Sequence, residues 1–327
     1  MIISRTPLRI SLGGGGTDLP SYYERFGGFV VSAAITKYLF IGVNPTFTPD
    51  YSIKYSVAER VTTIDDIAHP IFREALRYLS VQPGVELVSL ADIPAGTGLG
   101  SSGAFTVGLL RALYAERREH ITAGALAEDA CKIEIDVLQR AVGKQDQYIG
   151  AFGGITCFEF AKDGAVHVSP LSISNDTLHD LEGHLLMFFT GYSREADEVL
   201  VDQKERSERD DPAMLENLHE IKRLGLEVKH ALEAGDTRGF GELMHEHWEM
   251  KRGRTEGMSN DVIDEWYALG RANGALGGKL VGAGGGGFLL FYSPDPTRLR
   301  SAMTEAGLAE VRFSFDHDGS IVLLRGS

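Results

Sequence analysis

Between Pro94 and Gly103 the chain reads Pro-Ala-Gly-Thr-Gly-Leu-Gly-Ser-Ser-Gly, with glycines at 96, 98, 100 and 103. This string ends an apolar run and feeds a helical pattern from about Ala104 to Arg117. Glycines leave backbone N–H groups uncovered, and a helix beginning there points its positive dipole end at the same place. The segment reads as a phosphate cradle, and a triphosphate is its natural guest. Ser101 and Ser102 add hydroxyls for a phosphate oxygen or a magnesium ion. A P-loop is excluded, because Gly100 is followed by two serines and no lysine. Gly98-Leu-Gly100-Ser-Ser-Gly103 also satisfies the dinucleotide pattern. That fold wants a strand ending in an acidic residue about 20 positions on, where Thr122–Arg140 instead has helical periodicity.

Two further constellations carry chemistry. Near the start, Thr6-Pro7-Leu8-Arg9-Ile10-Ser11 leads into Gly13-Gly14-Gly15-Gly16-Thr17-Asp18. Alone, such a tetrad would most simply be a bulged turn. Arg9 and Asp18 beside it are what a sugar site uses: a fixed cation near a transferring phosphate, and a carboxylate accepting from hydroxyls. In the middle, Glu134, Asp136 and Asp146 straddle Gly143. On a helix, carboxylates are usually solvated or cap an end, so spacing alone assigns them no role. Late in the chain, Gly277-Gly278-Lys279-Leu280-Val281-Gly282-Ala283-Gly284-Gly285-Gly286-Gly287 implies backbone approaching another backbone or a substrate.

The elements that must hold these residues alternate. Strands are expected at Arg9–Leu12, Phe29–Thr36, Phe40–Val43, Ser52–Tyr55 and Val85–Leu90, with a short helix at Pro70–Leu79. Helices follow from Ala104 to about Glu119 and from Ala123 to about Ala141. A hairpin, Ile155–Phe160 with Ala165–Pro170, turns at Asp163-Gly164. After a boundary near 171–184, the apolar Leu185–Phe189 opens a second unit. Its helices are expected near Glu195–Arg209, Pro212–Glu233, Thr237–Gly253, Asp261–Asn273 and Pro296–Ala306. Its later strands are expected at Phe288–Tyr292, Val311–Phe315 and Ser320–Leu324. The pattern indicates an α+β fold of two domains, 1–175 and 176–327, not a doubly wound sheet.

Composition bounds the rest. The 327 residues are 43% apolar and 24% charged, ordinary for a soluble chain with a large core. A net charge of −14 argues against nucleic acid or an anionic membrane as partner. Two cysteines, Cys131 and Cys157, make no disulfide framework. No stretch approaches 18 apolar residues, so a cytoplasmic location is expected.

The string Pro94-x-x-x-Gly98-Leu-Gly100-Ser101-Ser102-Gly103-Ala104 resembles the central motif of the GHMP small-molecule kinases. The Arg9–Asp18 and Gly277–Phe288 segments resemble the family's first and last motifs, so the likeness covers essentially the whole chain. It implies a two-domain fold, with an N-terminal ribosomal-S5-domain-2-like α/β domain, a C-terminal ferredoxin-like α+β domain and an active site in the inter-domain cleft. ATP would lie on Pro94, Gly96, Gly98, Leu99, Gly100, Ser101, Ser102 and Gly103. Mg2+ would be bound by Ser102 and Glu134. Asp146, facing the acceptor hydroxyl, and Arg9 would be catalytic. Gly14, Gly15, Gly16, Thr17, Asp18, Asp146, Gly285 and Gly286 would meet the acceptor. Galactokinases carry an acidic residue and a histidine where this chain has Gly15 and Gly16, which disfavours galactose and leaves room for a larger sugar.

Within the family the motifs are most similar to the D-glycero-D-manno-heptose 7-phosphate kinases, with L-fucose-type 1-kinases as near relatives. The implied reaction moves the γ-phosphoryl group of ATP to the anomeric hydroxyl. A substrate already carrying a phosphate needs a distal cation, for which Arg194 stands first and Lys37, Lys251 and Arg252 behind it. The partners implied are a sugar phosphate and ATP, with no nucleic acid and no membrane, and a homodimer is an admissible assembly. A relative that senses sugar and ATP without turnover would share the fold, but it would have no need of Arg9, Ser102, Glu134 and Asp146 together.

Overall fold

The computed structural model describes residues 1–191, 197–255, 257–282 and 284–326. Two long strands organise the first half: β1 (Ile2–Gly13), and, after the short helix α1 (Pro20–Phe26), β2 (Gly28–Pro45). Their inward residues are almost all apolar and buried, which keeps them central. They pair antiparallel, Arg9 opposite Ala34, with irregularities after Pro7 and Ser11. Next come β3 (Tyr51–Lys54), β4 (Ala58–Val61), α2 (Pro70–Tyr78) and β5 (Val85–Ala91). Then follow α3 (Ser101–Glu116), α4 (Ala123–Cys131), α5 (Gln145–Phe152), β6 (Ile155–Phe160) and β7 (Val166–Pro170).

The second half holds α6 (Asn175–His184), β8 (Leu185–Phe189), α7 (Asp197–Glu208), α8 (Pro212–Glu233), α9 (Thr237–Arg252) and α10 (Asp261–Ala272). It closes with β9 (Gly277–Leu280), β10 (Phe288–Tyr292), α11 (Pro296–Glu305), β11 (Ala309–Glu310) and β12 (Ile321–Arg325).

The strands form two sheets. The first runs β12-β1-β2-β5-β3-β4, with the β6–β7 hairpin attached to the start of β2. The second runs β11-β8-β10-β9, all antiparallel. Helix α3 is buried on most of its circumference, from Gly103 to Ala115, because it lies between the first sheet and α4 and α5. On the other side α8 packs against β1 and β2. Leu8, Ile10 and Leu12 of β1 share one apolar core with Met187, Phe240, Met244, Phe288 and Leu290, so the halves meet through packed side chains.

Three expectations differ from the structure, and one unassigned segment proves to be a strand. The helix expected over Ala123–Ala141 stops at Cys131 and widens into a π-helical turn, Lys132–Val137. Val311–Phe315 is not a strand: β11 is two residues, and Phe315 makes only an isolated bridge to Ile35. The glycine-rich Gly277–Leu280 is a strand, its Gly278 lying under Phe291, where a Cβ would come within 2.4 Å of that ring. The chain crosses from the first sheet to the second between β7 and β8, yet β12 returns to pair with β1. The end of the chain therefore completes the first sheet, although the division at 175/176 assigns it to the second domain.

Candidate active site

Arg9 leaves β1 beneath the glycine-rich loop. Its backbone N–H donates to Leu99 O at 3.0 Å, so the loop is tied to the strand's edge. Its guanidinium makes two parallel bonds to Asp146, Nε to Oδ1 at 2.7 Å and Nη2 to Oδ2 at 2.9 Å. A third, from Nη1 to Gly98 O, is 2.5 Å. Such a fork fixes a carboxylate in position as well as in charge. Gly100, at φ +75°, is the N-cap of α3. A Cβ on Gly100 would sit 3.0 Å from Arg9 Cγ; bare backbone lets the loop cross the arginine.

Asp146 opens α5, and the turn before it holds Asp18. One Asp18 oxygen accepts from Gly16 N at 2.9 Å and the other from Gln145 N at 3.1 Å. Burial, together with the nearby charge of Asp146, pushes the Asp18 carboxyl above its ordinary range, and those N–H groups pull the other way. Gly143 is obligatory here, since its Cβ would fall 1.9 Å from Asp18 Oδ2.

The π-helical turn delivers Glu134 to the start of α3, where it is fully buried. Ser102 Oγ donates to its Oε2 at 2.5 Å, while Thr106 Oγ1 and Gln147 Nε2 donate to its Oε1 at 3.0 and 2.9 Å. Arg140 Nη1 reaches both Ser102 Oγ at 2.6 Å and Glu134 Oε2 at 3.2 Å. Burial raises the Glu134 pKa against these donors. π-turns are rare and recur at functional sites; this one carries a fully buried carboxylate.

Arg9, Asp18, Ser102 and Asp146 open on one cavity of about 1090 Å³, while Glu134 lies behind Ser102 and does not line it. Its walls include Arg9, Gly15, Gly16, Asp18, Pro94, Gly96, Gly98, Gly100, Ser101, Ser102, Asp146 and Gly286. One end is apolar, formed by Tyr55, Ile71, Leu90, Phe105 and Leu138 with His69. The late glycine run presses against the phosphate loop: a Cβ on Gly282 would lie 2.3 Å from Gly98 Cα, and one on Gly287 2.1 Å from Thr97 O.

Other expected site residues lie behind this wall. Thr17 is fully buried, its hydroxyl donating to Gly14 O and Phe29 O and accepting from Phe29 N. A Cβ on Gly14 would meet Phe29 O, so Gly14 and Thr17 pin the turn to β2 and do not reach the cavity. Leu99 is core. Gly103 lets Asp146 pack against α3, its missing Cβ 2.6 Å from Asp146 Cβ. Gly285 N donates to Met258 O. Arg252 pairs with Glu249 at 2.8 Å, and neither it nor Lys37 lines the cavity. Arg194 lies outside the described residues.

Sequence reasoning missed a basic group on the same cavity: His247, Arg254 and Lys279, alongside the weaker candidate Lys251. Lys279 could have been noticed as a lone cation amid apolar and glycine residues; Arg254 carries no such signal. The apolar end was also missed, because its residues come from five separate segments of the chain.

Residues 65–154 match the GHMP kinases N terminal domain and residues 228–309 the GHMP kinases C terminal domain. The chain is 31% identical to a D-glycero-alpha-D-manno-heptose 7-phosphate kinase of Campylobacter jejuni, over 97% of each chain. It is 28% identical to an L-fucokinase/L-fucose-1-P guanylyltransferase of Bacteroides fragilis, over 93% of this chain and 36% of that longer one. A solved D-glycero-D-manno-heptose 1-phosphate kinase from Bacteroides thetaiotaomicron superposes with a TM-score of 0.80 at 26% identity, covering both chains fully. The protein belongs to the GHMP kinases. It is an ATP-dependent phosphotransferase acting on an alcohol group. Among the described residues no helix is long and apolar enough to cross a membrane.

Proposed function

We propose that this kinase transfers the γ-phosphoryl group of ATP to the anomeric hydroxyl of D-glycero-D-manno-heptose 7-phosphate, giving the 1,7-bisphosphate. The observation that carries the reading is the bidentate Arg9–Asp146 pair, set between the phosphate loop and Asp18. Similarity to the heptose 7-phosphate kinase over nearly the whole chain supports the acceptor.

In this reading the nucleoside occupies the apolar end and the triphosphate lies over Gly96–Ser102 at the start of α3. Asp18 accepts from sugar hydroxyls, while Gly15 and Gly16 leave space for the ring. The acceptor oxygen forms a bond to the γ-phosphorus as the bond to the β-phosphate oxygen breaks, and ADP leaves. Asp146 accepts the hydroxyl proton late in a loose transition state, and Arg9 holds that carboxylate and balances charge on the transferring group.

Ser102 and Glu134 fit magnesium in donor chemistry, being adjacent hard oxygens beside the phosphate loop. Arg140, about 30% exposed, would have to withdraw from Glu134 Oε2. The ion would neutralise charge on the β- and γ-phosphates.

The test is ADP release across a panel of sugars and sugar phosphates, L-fucose included, with phosphorus NMR of the product. The expected product shows an anomeric phosphate beside the original one. Exclusive turnover of an unphosphorylated sugar would replace the heptose 7-phosphate reading, and no turnover of any acceptor would end the sugar-kinase reading.

A further inference from the structure

Three basic residues in the cleft have no ion-pair partner among the described residues. Lys279 is 2% exposed, Arg254 6% and Lys251 9%. Lys279 Nζ donates to Leu12 O at 2.9 Å. Lys251 Nζ donates to Leu280 O at 2.8 Å and to Gly282 O. Arg254 uses Nε on Asn217 Oδ1 and Nη1 on Gln203 Oε1, both at 2.9 Å, and its Nη2 is buried without a partner. Among the described residues, none of the three has a carboxylate within ion-pairing distance. Both ring nitrogens of His247, which is 2% exposed, are likewise unpartnered.

Such an arrangement is costly as it stands. An unpaired buried charge destabilises a fold by several kcal/mol, and here three lie close enough to repel one another and Arg9. Burial, with the charge of Arg9 second, pushes Lys279 down to about 7, and burial with the neighbouring cations pushes Lys251 well below its ordinary value. Arg9 is matched by Asp146. Asp18 attracts Arg254 but spends its hydrogen bonds on Gly16 and Gln145. With all three protonated and Asp18 ionised, the group carries about two net positive charges, which matches a phosphomonoester dianion at neutral pH.

Arg254 and Lys279 lie toward the Gly13–Gly16 end of the cleft, whereas Lys251 reaches back toward the ATP loop, since its partner Gly282 packs on Gly98. Arg254 Nη1 lies 2.6 Å from where a Gly16 Cβ would be, and Lys279 is bonded to the residue just before the Gly13–Gly16 run. Both therefore border the Gly13–Gly16 segment that the kinase reading assigns to the acceptor. We propose that Lys251, Arg254 and Lys279, over His247, form an anion subsite that holds a phosphate the acceptor already carries. The proposal rests on the kinase reading above and names the residues that would select a phosphorylated sugar.

The test compares equilibrium binding of D-glycero-D-manno-heptose 7-phosphate with that of the same heptose lacking its phosphate. It uses the wild type, Lys279→Met and Arg254→Gln, with circular dichroism confirming the fold. The wild type is expected to favour the phosphorylated sugar strongly. Each variant should lose about 10- to 100-fold of that preference, the range for one charge-assisted bond, with ATP affinity within about threefold of wild type.

Equal preference in wild type and variants, a wild type without preference, or a loss that falls on ATP instead would each overturn the subsite. Phosphorus NMR of the wild-type complex is a second readout that needs no variant. The second ionisation of the bound 7-phosphate, near 6 when free, should move down by about one unit or more, and an unmoved value overturns the proposal. Turnover of an unphosphorylated sugar as efficient as that of its 7-phosphate would sink the subsite and leave the kinase standing. Absence of ADP release with every acceptor would end the kinase reading, while the binding comparison still decides the subsite.

Discussion

Gly282→Ala tests whether the late glycine run supports the phosphate loop. The new Cβ would lie 2.3 Å from Gly98 Cα and 2.7 Å from Gly98 O. Carbon contacts become comfortable near about 3.5 Å, so one backbone must retreat by roughly 1 Å. Gly98 is hemmed in: its carbonyl takes the 2.5 Å bond from Arg9, and Val281 O sits 2.4 Å from its own missing Cβ. Displacing it shifts the loop against the arginine that holds Asp146. A misplacement of about 1 Å in a catalytic site costs on the order of 100-fold, and we expect that loss in kcat/KM for ATP.

Backbone strain is the competing cause, since Gly282 has φ +86° and alanine there costs about 1–2 kcal/mol. Gly307 supplies the control: it has the same φ of +86° and nothing within 4 Å of its missing Cβ. Gly307→Ala carries the strain without the collision. Steady-state ADP release at saturating acceptor, with ATP varied, separates the two. A Gly282→Ala enzyme within about threefold of Gly307→Ala would refute the argument that the two glycine segments form one support.

Three further outcomes are expected. Asp146→Asn should lower kcat by about 10²- to 10⁴-fold while ATP affinity, read by calorimetry, changes little; near-normal turnover would remove Asp146 from proton transfer. Thr17→Val strands buried backbone groups of Gly14 and Phe29 and should cost about 2–4 kcal/mol in urea unfolding, with acceptor KM nearly unchanged in the folded enzyme; a large KM effect at full stability would make Thr17 a substrate contact. Lys279 gives a pH effect of definite sign, because its folded pKa, about 7, is depressed from an ordinary 10.5 by burial and by Arg9. Between those values the unfolded chain holds the extra proton, so this group makes the ligand-free protein more stable as pH rises from 7 toward 10. An arriving dianion reverses the shift, with Lys251, Arg254 and His247 facing the same space. Calorimetry at pH 8 in buffers of different ionisation heat should record uptake of about 0.5 to 1.5 protons; no uptake would contradict it.

What was legible in the sequence was what local chemistry marks. Gly96, Gly98 and Gly100 beside Ser101 and Ser102 declare bare backbone wherever they fold, and Arg9 and Asp18 flank a glycine run, whereas Glu134 and Asp146 drew their roles from the family resemblance because their spacing assigned them none. Thr17 misled because its task depends on Phe29, placed against it by the register of β1 on β2. The turn at Lys132–Val137 was invisible because apolar periodicity does not separate a 3.6-residue winding from one widened by a single residue. Strand β9 was hidden by its glycines, whose poor strand propensity gives way to their need to lie flat beneath Phe291 and His245. Arg254 and Lys279 are distant in sequence from Asp18 and Arg9, and only packing α9 and β9 against the end of β1 makes them neighbours.

One rule accounts for the glycines around this cleft better than flexibility does. Four of the polar side chains on which the proposed chemistry rests lie over positions where another element has no side chain. Arg9 crosses Gly100, Asp146 rests on Gly103, Asp18 fills the space above Gly143, and Arg254 approaches Gly16, with the missing Cβ atoms 3.0 Å or less from them in every case. The four glycines come from three segments of the chain, yet each removes the atom that would push a charged group out of line. Long polar side chains are held here by backbone on one face and by hydrogen bonds at the tip. The rigidity of the site therefore comes from close approach, and the same construction explains why the enlarged acceptor space near Gly15 and Gly16 coexists with a tightly fixed Arg9–Asp146 pair.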